Sequence, residues 1–122
     1  MKTWKLAVVG SRDFNDAPFL FKKLDENIDR IEMIISGGCR GVDELSRQWA
    51  EKRGKAILIF YPRWYDEKGN FLKGAGFMRN KLIVDACDYL LALRINQSKG
   101  TTHSIELAKK AGKPSYVYDF VK

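Results

Sequence analysis

An α/β fold, built on a five-stranded parallel sheet in the order 3-2-1-4-5 with helices on both faces, is what this sequence predicts, on three observations. Short apolar runs alternate with amphipathic stretches along the whole chain. Glycine and hydroxyl residues gather just behind several of those runs, where a strand would pass into a helix. Strands and helices alternate instead of occurring in blocks, so neighbouring strands are parallel and their right-handed crossovers cover both faces of the sheet. The 122 residues are read as one domain, 1–122, large enough to fold without a disulfide or a metal.

The elements follow in order. Lys5 to Val9 is a short apolar run ending in Gly10-Ser11-Arg12-Asp13, the first strand and its turn. Phe19, Leu20, Leu24 and Ile28 recur at helical spacing, so the first helix is placed from Asp16 to Ile28, with Pro18 near its start. Ile31 to Ile35 is the second strand. After a glycine loop, Val42, Leu45, Trp49 and Ala50 form one face of a helix that stops near Gly54. Ala56 to Tyr61 is the third strand, and Pro62 to Gly76, with its glycines, aromatic residues and mixed charge, is a long irregular connection. A helix over Phe77 to Cys87, a strand over Asp88 to Leu93, a turn over Arg94 to Gly100, a helix over Thr101 to Ala111 and a strand over Ser115 to Tyr118 complete the set.

In this strand order the crossovers leave in opposite directions on either side of strands one and four, which opens a crevice beyond their carboxyl ends. Three loops reach it: Gly10-Ser11-Arg12, Ser36 to Asp43, and Ser98-Lys99-Gly100-Thr101-Thr102. In the second, Ser36-Gly37-Gly38-Cys39-Arg40-Gly41-Val42-Asp43, glycines let the backbone turn sharply and the following helix adds unpaired N–H donors and a partial positive charge. That combination suits a phosphate or carboxylate. A turn that needs glycine only for its dihedrals has the same composition. The recurrence of glycine and hydroxyl groups in three loops favours a site.

Composition narrows the alternatives. Lys and Arg number 22 against 15 Asp and Glu, a formal charge of +7, which raises the question of a polyanionic partner. The lysines are scattered over helix surfaces, whereas Arg12, Arg40, Arg63, Arg79 and Arg94 fall in or near loops and helix starts, where a guanidinium can grip phosphate in two places. Cys39 and Cys87 are few and differently placed, which predicts a reduced, cytoplasmic protein. No 18-residue apolar run occurs, and the start leads directly into a strand, so neither a membrane span nor a signal peptide is expected.

No Gly-Lys-Ser or Gly-Lys-Thr closes a glycine loop, which argues against a P-loop triphosphatase, and the glycine spacing does not fit the dinucleotide fingerprint. The lone His103 lacks ligand partners, so no metal and no cofactor is expected.

Four elements stand in order along the chain: Gly-Ser-Arg after the first strand; Ser-Gly-Gly-x-Arg-Gly-Val-Asp after the second; Ala75-Gly76-Phe77-Met78-Arg79-Asn80; and Ser98-x-Gly-Thr. Together with Pro62-Arg63-Trp64 in the long loop, they resemble the SLOG superfamily, which joins the DNA-processing protein A family and the Lonely Guy nucleotide hydrolases. The similarity is greatest to its small, single-domain YspA-like branch. The resemblance implies a Rossmann-like three-layer sandwich that binds a nucleotide or nucleotide-derived ligand. By position it assigns Gly10, Ser11 and Arg12 to the first ligand loop, and Ser36, Gly37, Gly38, Arg40, Gly41 and Asp43 to the second. Arg79, with Asn80 beside it, matches the family arginine of the third helix, and Gly100 and Thr101 match the phosphate-contacting Gly-Thr, flanked by Ser98 and Thr102. Asp43 is expected either on a ribose hydroxyl or, more simply, as a helix cap.

Departures from the family bear on catalysis. Lonely Guy hydrolases carry a catalytic Glu three residues after the Gly-Thr pair, and Ser104 stands there in this chain. Glu106 is two residues further on, roughly 200° around a helix, and should not face the same site. Glu44, Glu106 and His103 are therefore the available catalytic candidates. Three functions compete: binding of a nucleotide-type small molecule without turnover, N-glycosidic hydrolysis of one, and binding of single-stranded DNA, for which Trp64, Tyr65 and Phe71 are the available base platforms. An exposed apolar helix face would point to a homo-oligomer.

Overall fold

Successive residues of a strand point to opposite faces of the sheet, and that alternation decides which helices each side chain meets. The computed structural model describes residues 2–122. Its elements are β1 (Trp4–Gly10), α1 (Ala17–Asp25), β2 (Ile31–Ser36), α2 (Val42–Arg53), β3 (Ala56–Ile59), α3 (Ala75–Ala86), β4 (Tyr89–Ile95), α4 (Lys99–Lys110) and β5 (Ser115–Phe120). The sheet runs β3-β2-β1-β4-β5, parallel at every pairing, as the sequence predicts.

Leu6, Val8, Ile34, Leu91 and Leu93 point to one face and meet Leu20, Leu24, Val42 and Trp49 of α1 and α2. Ala7, Val9, Ile35, Leu90 and Ala92 point to the other and meet Ile83, Val84, Ile105 and Ala108 of α3 and α4. Both faces are thus covered, and the central strands β1 and β4 are apolar on both sides. Asp25 at the end of α1 accepts from Trp49 Nε1 at 2.8 Å and from Arg53 Nε at 2.9 Å, which fixes α1 against α2. Among the described residues no helix is long and apolar enough to cross a membrane.

Some element ends differ from the sequence reading. α1 stops at Asp25, not Ile28, because the chain tightens there into three-residue turns, Asn27 N–H to Leu24 O and Ile28 N–H to Asp25 O. β3 ends at Ile59, not Tyr61. Phe60 N–H still reaches Ser36 O, but Pro62 has no N–H to continue the ladder, and Tyr61 turns to lie over Gly38. α3 begins at Ala75, inside the stretch read as loop, since Gly76 occupies its first turn instead of breaking it. The loop before it is partly ordered by an antiparallel bridge between Tyr65 and Phe71. β4 and β5 extend to Ile95 and Phe120, where Phe120 packs on Phe14 and Phe19.

Candidate ligand-binding cleft

Beyond the carboxyl ends of β1 and β4 lies a cleft of about 620 Å³ whose walls come from the loops after β1, β2 and β4 and from the first turns of α3 and α4. Two glycines allow the loops to meet. At Gly10 a Cβ would stand 2.5 Å from the Leu93 carbonyl oxygen, so only glycine lets β1 leave the sheet beside β4. At Gly41, φ is +74° and a Cβ would stand 2.5 Å from the Arg12 carbonyl oxygen, so the loop before α2 lies directly on the loop after β1.

The cleft floor is a directed chain of hydroxyls. The Ile95 N–H donates to Ser11 Oγ at 2.8 Å, Ser11 Oγ meets Ser98 Oγ at 2.9 Å, and the Ser98 hydroxyl donates to Thr101 Oγ1 at 3.1 Å. Each hydroxyl has one proton, so the Ser11 hydroxyl must donate to Ser98. The Thr101 proton then has no acceptor among the described residues, and Thr101, itself buried, lines the cleft.

Two helices also aim their N-termini at the cleft, and they differ in charge. The first turn of α2 carries Asp43 and Glu44, which already offset its positive end. The first turn of α4 carries no acid, and its cap residue Ser98, whose hydroxyl donates to Thr101, makes no side-chain bond to the helix N–H groups. An anion is therefore favoured at α4 and disfavoured at α2.

Opposite α4 stands Arg79, buried on the inner face of α3. Its guanidinium donates to the Gly37 carbonyl and, at 3.1 Å, to Asn80 Oδ1, and it lies 3.7 Å from Cys39 Sγ. Gly37 is required for this approach, since a Cβ there would stand 2.6 Å from Nη1. Among the described residues no carboxylate comes within ion-pair distance of Arg79. Of the eight arginines in the chain, five are ion-paired: Arg40 with Asp13, Arg47 with Glu44 and Glu51, Arg53 with Asp25, Arg63 with Glu67 and Arg94 with Asp119. Arg30 covers the Trp4 ring. The remaining two, Arg12 and Arg79, both line the cleft.

Asp43 is the buried carboxylate of the cleft. It is not a helix cap, as the sequence suggested. Gly41 is the cap residue of α2, and Asp43 Oδ2 instead accepts from the Cys39 N–H at 3.0 Å, tying the glycine loop to the helix. Burial pushes its pKa up to about 6, against the opposing pull of the Cys39 N–H and the Arg79 and Arg12 charges.

The predicted site residues separate into those that line the cleft and those that shape it. Gly10, Ser11, Arg12, Gly37, Asp43, Arg79, Asn80, Ser98, Gly100 and Thr101 line it. Asn80 also spans to α4, donating to Gly100 O and His103 Nδ1, each at 3.3 Å. Ser36, Gly38, Arg40, Gly41 and Thr102 do not line it. Ser36 is buried under the loop, Gly38 lies against Tyr61, and Arg40 points outward to Asp13. Thr102 donates to the Ser98 carbonyl at 2.8 Å and accepts from Arg94, on the side of α4 away from the cleft.

The three catalytic candidates also lie elsewhere. Glu44 is bonded to Arg47 on the surface of α2, which holds its pKa below the usual carboxylate range. Glu106 is exposed, and the His103 ring sits edge-on to Phe77 with centroids 4.5 Å apart.

Cys39, Trp64, Lys73, Phe77 and Ser104 line the cleft without having been singled out for it. The Pro-x-Trp run in the long loop was the available signal for Trp64. Its indole tip lies over Gly76, 3.6 Å from where a Cβ would stand.

Comparison with known proteins bears on the fold and the family. The chain is similar to the gene 61 protein of Mycobacterium phage D29, 29% identical over 90% of this chain and 92% of that one. A second relative, an uncharacterised protein of Archaeoglobus fulgidus, is 28% identical over 93% and 78%. Among solved structures, DNA processing protein A of Streptococcus pneumoniae superposes with a TM-score of 0.79 at 20% identity, covering 94% of this chain and 50% of that one. The Helicobacter pylori protein of that name, described for its single-stranded DNA binding mode, gives 0.71 at 21% identity over 95% and 65%. TM1055 gives 0.64 at 24% identity over 94% and 72%. The chain thus spans only half to two-thirds of the length of the two DNA processing proteins, and the likeness to these three structures is one of fold. The family model for the YspA, cpYpsA-related SLOG family matches residues 4–66, more than half of the chain, and takes in the loops after β1 and β2; the chain belongs to that family.

Proposed function

We propose that the protein binds a nucleotide or nucleotide-derived small molecule in this cleft, with a phosphate at the N-terminus of α4. The observation that carries the reading is the unequal pairing of the arginines: the two that neither meet a carboxylate nor cover a ring both line the cleft, one of them buried. A buried cation with no carboxylate in direct contact is costly, and an anionic ligand supplies that contact. The free Thr101 proton and the acid-free first turn of α4 support the same end for the phosphate. Asp43, at the other side, accepts hydrogen bonds from a ligand's hydroxyl or ring N–H groups. Trp64 and Phe77 offer flat apolar surface to a base.

The test is the melting temperature measured with AMP, GMP, ADP-ribose and cyclic dinucleotides, since a ligand bound only by the folded state raises it by mass action. At least one of these is expected to give a saturable rise. Arg12→Ala and Thr101→Val should each weaken that binding about 10- to 100-fold, the value of one hydrogen bond to a charged group. No rise with any member of the panel up to millimolar concentration would refute the reading.

A second reading, hydrolysis of the N-glycosidic bond, is favoured by one observation only: a buried carboxylate with a raised pKa lines the cleft. Ser104, at the position of the catalytic Glu of Lonely Guy hydrolases, cannot take up that role. Incubation of nucleotide with stoichiometric protein, followed by chromatography for free base, separates the two. Binding without turnover predicts none. Base released by the wild type and lost in Asp43→Asn would establish the hydrolase.

A further inference from the structure

Of the two cysteines, one stands in the cleft wall. Cys39 is half-buried on the glycine loop, with its Sγ 3.7 Å from Nη1 and 3.8 Å from Nη2 of Arg79. The other two guanidinium nitrogens are satisfied by oxygen: Nε donates to Asn80 Oδ1 at 3.1 Å and Nη1 to the Gly37 carbonyl. Nη2 has no oxygen acceptor among the described residues, and the sulfur is its only partner there. A thiol is a weak acceptor. A side chain only 9% exposed therefore aims donors without a strong acceptor at Cys39.

Charge that develops on this sulfur is met from two sides. Arg79 stabilises negative charge on it, and Asp43, which accepts from the Cys39 N–H at 3.0 Å and is hydrogen-bonded by the Cys39 side chain, is placed to take the thiol proton. Cys87 is the contrast. It is 3% exposed, its Sγ donates to the Val84 carbonyl at 3.3 Å, and burial pushes its pKa up. The charge of the cleft then selects the reagent: Arg12 and Arg79 line it without carboxylate partners, and Lys73 stands in the same wall. Molecules that carry carboxylates are drawn in, and cationic ones are repelled.

We propose that Cys39 is a modification site that exchanges with anionic low-molecular-weight disulfides, whose carboxylates meet the two arginines of the cleft. In this step the thiol proton passes to Asp43 and the thiolate attacks one sulfur of the incoming disulfide. That S–S bond breaks, and the departing thiolate leaves with its electron pair and takes up a proton. Cys39 and one half of the reagent are joined by the new S–S bond, and the other half leaves reduced. The disulfide is the oxidant, so no further co-reactant is required.

The experiment compares oxidised glutathione, which carries carboxylates, with cystamine, which is cationic, on the folded wild type. Peptide mass mapping follows Cys39 and Cys87 separately, and the urea-unfolded protein supplies the reference rate for each reagent. Relative to that reference, Cys39 is expected to react at least about tenfold faster with oxidised glutathione than with cystamine, while Cys87 stays unmodified. Arg12→Ala should reduce the preference severalfold. Modification of Cys39 no faster than of Cys87, equal relative rates with the two reagents, or a preference unchanged in Arg12→Ala would each overturn the proposal. No nucleotide is present in these reactions, so their outcome is separate from that of the nucleotide titrations.

Discussion

The ionisation of Asp43 is the residue-scale property with the clearest measurable consequence. Its pKa in the fold is about 6, above the ordinary 3.8, so between those values the folded state holds more protons than the unfolded chain. Stability from this group must therefore fall as pH rises from about 4 to about 6. The full cost of the buried charge above that window is roughly 3 kcal/mol, from a shift of about two pKa units. Asp43→Asn keeps an oxygen for the Cys39 N–H and removes the charge. It is expected to melt higher than the wild type at pH 8 and close to it at pH 4, and a difference in melting temperature that does not vary with pH would refute this assignment. The same residue shows how far the sequence could be read. Asp43 was identifiable as a site residue from its place behind a glycine loop, but a carboxylate at a helix start is ordinarily a cap, and only the fold shows the cap position taken by Gly41 and the side chain turned to Cys39. Arg94 gives the converse case. Its place behind a strand suited phosphate, yet Asp119 on β5, 25 residues away, claims its guanidinium. Which arginine stays unpaired depends on contacts between strands distant in sequence, and those leave no local pattern.

At the scale of elements, short apolar runs and helical spacing made the order of strands and helices legible, because strands buried on both faces read as continuous apolar runs. Boundaries were less legible where two rules conflict. Gly76 reads as loop, yet it lies in the first turn of α3, in van der Waals reach of Trp64. The turn into α4 is another such place. Asn96 and Gln97 adopt φ of 49° and 55° in succession, a left-handed conformation that costs a residue with a side chain roughly 1–2 kcal/mol. Asparagine tolerates it through its own hydrogen bonds, here from Lys122 N–H to Oδ1 at 3.0 Å. Gln97 has no such compensation and is exposed. Gln97→Gly is therefore expected to stabilise the protein by about 0.5–1 kcal/mol in urea unfolding, the relief of strain exceeding the extra entropy of glycine in the unfolded chain. Destabilisation would mean that the side chain holds the turn through contacts it makes only in solution. The strain sits directly before Ser98, in the turn that sets the hydroxyl chain beside the cleft.

At the scale of the whole molecule, the formal charge of +7 invites comparison with the fold neighbour described for its single-stranded DNA binding mode. The distribution of that charge decides what it can do. Affinity for a polyanion grows with the number of phosphates neutralised together, and each contact adds to the slope of binding against salt. Most arginines here are already bound to carboxylates of their own chain, on different faces: Arg47 on α2, Arg53 beside α1, Arg94 beside β5. The two without such partners lie together in one cleft, of a size suited to a small ligand rather than to a strand passing through. The aromatic loop does expose Tyr61, Tyr65 and Phe71, which are 61–69% accessible, and Arg63 beside them is paired with Glu67 at 3.9 Å. Stacking there is open to an isolated base. Single-stranded DNA is therefore expected to bind weakly and without sequence preference at 50 mM salt, and to be released by 200 mM. Fluorescence anisotropy of a labelled oligothymidylate, repeated across that range, measures it. Release should occur equally in Thr101→Val, which removes a cleft donor and no surface charge. Tight binding that survives 200 mM salt and is lost on substituting Trp64 or Phe71 would instead place the strand on the aromatic loop and make nucleic acid the ligand.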